Sequence, residues 1–128
     1  NNRDCDVYRI KEMTDSRNIS WEAQMTAELE NAQKALSEKN DGKARACARR
    51  AVGIIIKEYL VQKQDYSAHS QSALDRLKDV ANNTEFPENI RKAAQRLVTN
   101  VNDRLSPNFT LHPVHDADIL ITYFKNLF

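Results

Sequence analysis

The stretch NDRLSPNFTLHPVHD, residues 102–116, gathers Arg104, His112 and His115 within fifteen positions. Arginine is a permanent cation that can meet phosphate oxygens in a fork, and histidine is the side chain whose charge changes near neutral pH. These residue types could cut RNA, or they could simply lie on the connection between two helices. A second basic group sits in KARACARRAVGIIIKEYL, residues 43–60, where Lys43, Arg45, Arg49, Arg50 and Lys57 share one side of a helical projection and no acid falls between Lys43 and Lys57. Arg45, Arg49, Arg50 and Arg104 are therefore the candidate ligand-binding residues, able to present guanidinium groups to phosphates if the fold brings the last connection near this helix.

Other chemistry finds little support. His69 stands among serines without a Cys or carboxylate at ligand spacing, and Cys5 and Cys47 match no metal-ligand pattern. There is no glycine-rich phosphate loop. No cofactor and no metal site are expected. Cys47, between small apolar neighbours, reads as a packed small hydrophobe rather than a reactive thiol.

The elements that must position these residues follow from composition and periodicity. A chain of 128 residues with 41% hydrophobic and 29% charged residues, two glycines and three prolines suits one helix-rich domain. The formal net charge of +1 leaves any attraction to a polyanion to a local patch. No apolar run reaches the roughly 20 residues of a membrane span, and two distant cysteines favour a reducing compartment, so no membrane association and a cytoplasmic location are expected.

Residues 1–20 form a lead-in segment, and residues 21–128 a single helical bundle. Ser20 is placed to cap a first helix that runs from Trp21 to near Asn40, carrying Met25, Leu29, Ala32 and Leu36 at steps of three and four. Asp41-Gly42 reads as a turn, and a second helix extends from about Lys43 to Gln64. A shorter third helix lies in residues 67–83. A fourth begins after Pro87 and carries Ile90, Ala94, Leu97, Val101 and Leu105 up to Ser106-Pro107. Asp116 can cap a fifth over residues 116–128. The fold expected is an all-α, five-helix up-and-down bundle whose first two helices are long and antiparallel.

Within the second helix, Ala44, Cys47, Ala48, Ala51, Ile54, Ile55 and Tyr59 form the core arc. Ala46, Gly53 and Leu60 recur at intervals of seven on the polar side, with Ile56 beside them, and mark a second contact seam. A close approach by the helix of a second copy would account for Gly53, which costs about 1 kcal/mol against Ala in a helix interior. A homodimer is expected from this seam.

NAQKALSEKNDGKARACARRAVGIIIKEYL, followed by SALDRL, FPENIRKAAQRL and a last short helix, resembles the HEPN family of small α-helical domains, named for higher eukaryotes and prokaryotes nucleotide-binding. The resemblance covers residues 21–128. It implies two long antiparallel helices, dimerisation and, in many members, metal-independent ribonuclease or toxin activity from an arginine and a histidine four to six residues on. By that analogy Arg104 would stabilise phosphate charge and His112 or His115 would move a proton at the RNA 2′-hydroxyl. Here seven residues separate Arg104 from His112 and ten separate it from His115, with Pro107 between them. The expectation is therefore a non-catalytic HEPN-like module acting as a dimeric interaction or nucleotide- or RNA-binding domain. The alternatives are a ribonuclease or toxin, and a helical scaffold that binds only protein.

Overall fold

The computed structural model describes residues 20–65, 71–99 and 112–128. Among them lie five α-helices and no strand: α1 (Trp21–Ser37), α2 (Asp41–Gln62), α3 (Ala73–Asn82), α4 (Glu88–Val98) and α5 (Pro113–Lys125). The Ser20 hydroxyl accepts from the Ala23 amide at 3.1 Å and starts α1 as expected. α1 and α2 are antiparallel, which places Glu28 against Arg50, two residues equidistant from the turn at Lys39.

The turn between them differs from expectation. Asp41-Gly42 belongs to the first turn of α2, because Asn40 is the cap: its Oδ1 accepts from the Lys43 amide at 3.2 Å. Lys39 takes the left-handed conformation (φ 61°), and the Asn40 amide donates back to the Ala35 carbonyl at 2.8 Å. This pattern satisfies end carbonyls of α1. α2 ends the same way, with Gln64 at φ 63° and the Asp65 amide on the Leu60 carbonyl at 2.9 Å. A Cβ at Gly42 would meet nothing within 4 Å, so that glycine is not what makes the turn.

α2 is the central helix, with α1, α3, α4 and α5 all against it. It buries Ala44, Cys47, Ala48, Ala51 and Ile55 of the expected arc, and also Val52, Gly53, Ile56 and the side chain of Arg45. Around it pack Met25 and Ala32 of α1, Leu77 of α3, Ala94 and Leu97 of α4, and Leu120 and Phe124 of α5. So many alanines at these contacts let helix axes approach closely. Tyr59, Phe86, Tyr123 and Phe124 form an aromatic cluster at one end, with ring centroids 5.2–6.3 Å apart.

The later helices start and stop at other residues than periodicity suggests. α4 ends at Val98, where Thr99 turns extended (ψ 132°). Val101, Leu105 and Ser106-Pro107 lie outside the described residues. α5 begins at Pro113, with His112 in the cap position. Asp116 is not a cap; it is buried inside the first turn of α5, held by Arg96. Among the described residues no helix is long and apolar enough to cross a membrane.

Candidate functional site

Three of the four arginines expected to bind a ligand have partners within the fold. Arg45 is 3% exposed and donates from Nε to Asp41 Oδ2 at 2.7 Å. Arg49 reaches across to α4, where Nε donates to the Leu97 carbonyl at 2.6 Å and Nη2 to the Thr99 carbonyl at 3.2 Å. These carbonyls lie at the C-terminal end of α4, which carries partial negative charge, so a cation is well placed there. Desolvation lowers the Arg49 pKa from its ordinary value, with the charge of Arg45 adding to the effect. Arg50 is exposed, but its Nε meets Glu28 Oε2 at 3.0 Å and its Nη2 meets Cys47 Sγ at 3.2 Å. Arg45, Arg49 and Arg50 thus each have a protein partner, on three helices in all. Arg104, the fourth candidate, lies outside the described residues.

His112 and His115 are both exposed and border one shallow depression with Leu36 and Val114. Among the described residues that lining contains no arginine. His115 also borders a second open depression, with Asp118 and Tyr123. No set of three or more His, Cys, Asp or Glu side chains among the described residues could hold a metal ion.

The seam expected to meet a second copy is largely covered by the chain itself. A Cβ added to Gly53 would stand 2.6 Å from the Ala73 Cβ and 3.0 Å from its Cα, so the close approach is made by α3. Ile56 is buried in the core at 2% exposure. Ala46 and Leu60 are half-buried. The physical reason for a glycine at position 53 is intramolecular.

What the structure assembles instead is a cleft of about 320 Å³ between the C-terminal half of α2, α3 and the α3–α4 turn. Its apolar wall is made by Ile56, Tyr59, Leu60, Val80, Phe86 and Phe124. Among the described residues its polar lining is Lys63, Asp65, Gln71, Arg76, Asp79, Asn83 and Glu85. Local structure fixes much of this rim. Gln71 Nε2 donates to Asp79 Oδ2 at 2.8 Å across the first two turns of α3, and Asn83 Oδ1 accepts from the Glu85 amide at 2.9 Å to shape the turn that presents Phe86. Arg76 Nη1 donates to the Gly53 carbonyl at 3.2 Å, which ties α3 to α2, and desolvation lowers its pKa. The Lys63 ammonium lies 5.3 Å from the centroid of the Tyr59 ring.

Sequence reasoning missed this cleft. Tyr59 read as core, and Phe86 stood alone in a loop with no periodic partner; only an aromatic just before Pro87 hinted that the turn is packed rather than solvated. Comparison with known proteins found no match among family models, curated proteins or solved structures.

Proposed function

We propose that this chain is a non-catalytic helical binding module, HEPN-like in its plan, whose recognition site is the cleft between α2, α3 and the α3–α4 turn. The order of a long helical pair followed by three shorter helices supports the family resemblance. The observation that carries the binding role is the cleft itself: a volume of about 320 Å³ with an aromatic wall and convergent polar groups lies in the size range of small-ligand sites. The basic face of α2 supports binding less well, because Arg45, Arg49 and Arg50 already have protein partners. The α2 seam supports self-association less well, because Gly53 and Ile56 are covered within the chain.

A fragment screen followed by ¹H–¹⁵N correlation spectra tests it. Shifts are expected to concentrate at Tyr59, Asn83 and Phe86. Shifts centred on Arg49, Arg50 and His112 would move recognition to the basic face and reject the cleft.

A further inference from the structure

We draw no further inference here: the strongest candidate, the cleft between the C-terminal half of α2, α3 and the α3–α4 turn, belongs to the site already described, and residues 66–70, which join its lining residues Asp65 and Gln71, lie outside the described residues.

Discussion

Arg96 of α4 and Asp116 of α5 form a forked ion pair, with Nη2 at 2.7 Å and Nε at 3.1 Å from Asp116 Oδ1, and Nε also 3.2 Å from Oδ2. The carboxylate side chain is 5% exposed and the guanidinium 32%. The hydrogen bonds to Asp116 raise the Arg96 pKa, which holds the guanidinium in its charged form. Together with Arg49 on the Leu97 and Thr99 carbonyls, this pair fixes where the chain leaves α4 and where α5 begins.

Arg96→Ala leaves the buried Asp116 carboxylate uncompensated and should lower stability by about 2–4 kcal/mol. The double change Arg96→Met with Asp116→Leu removes both charges and should cost less than Arg96→Ala. Urea unfolding of wild type, Arg96→Ala and the double variant measures this; a double variant that loses as much as Arg96→Ala or more would mean that the lone Asp116 charge is not what costs stability.

Gly53→Ala should destabilise the fold, because the new Cβ meets Ala73 backbone and side chain. Its clash outweighs the helix gain of about 1 kcal/mol, for a net loss of about 1–2 kcal/mol. Ala73→Gly in the same chain should restore much of it. The loss should be the same at low and high protein concentration, whereas a dimer seam would make it concentration-dependent.

Arg49→Ala removes two hydrogen bonds from a charged donor to end carbonyls of α4 and should cost about 1.5–3 kcal/mol. Arg49→Lys should recover less than half, since an ammonium cannot reproduce the fork. Faster amide exchange in the last turn of α4 would locate the loss.

Glu88 lies on the surface with Lys92 at 3.1 Å, and its hydrogen bond to that lysine lowers its pKa below 4.5. A depressed carboxylate stabilises the fold above its unfolded pKa, and that contribution disappears as pH falls through the folded value. Wild type should therefore exceed Glu88→Gln in stability at neutral pH by a small margin, and the two should converge as pH drops below 4.5. Unfolding curves measured across this window check the sign.

The purified protein should not cleave single-stranded RNA in the presence of chelator. Replacing His112 and His115 with Ala, or Arg104 with Ala, should leave any trace cleavage unchanged. Loss of a robust wild-type activity in those variants would establish the connection between α4 and α5 as an active site.

The sequence alone determined the helical class, the order of five elements, the Ser20 cap and most of the buried arc of α2. Those features are local: a cap needs a hydroxyl three residues before an amide, and an amphipathic arc repeats every 3.6 residues. It did not determine what surrounds α2. A projection assigns one face to water, yet α2 is enclosed by four helices, so Arg45 is buried and Arg49 spans to α4. Asp116 read as a cap because three residues of context allow that; its partner Arg96 is twenty residues away. Gly53 signalled a close approach, but only the packing of α3 showed that Ala73 makes it. The cleft needed Tyr59, Asp79 and Phe86 from separate elements in one place. Such contacts between distant residues depend on how helices stack, and no periodicity within a single helix encodes them.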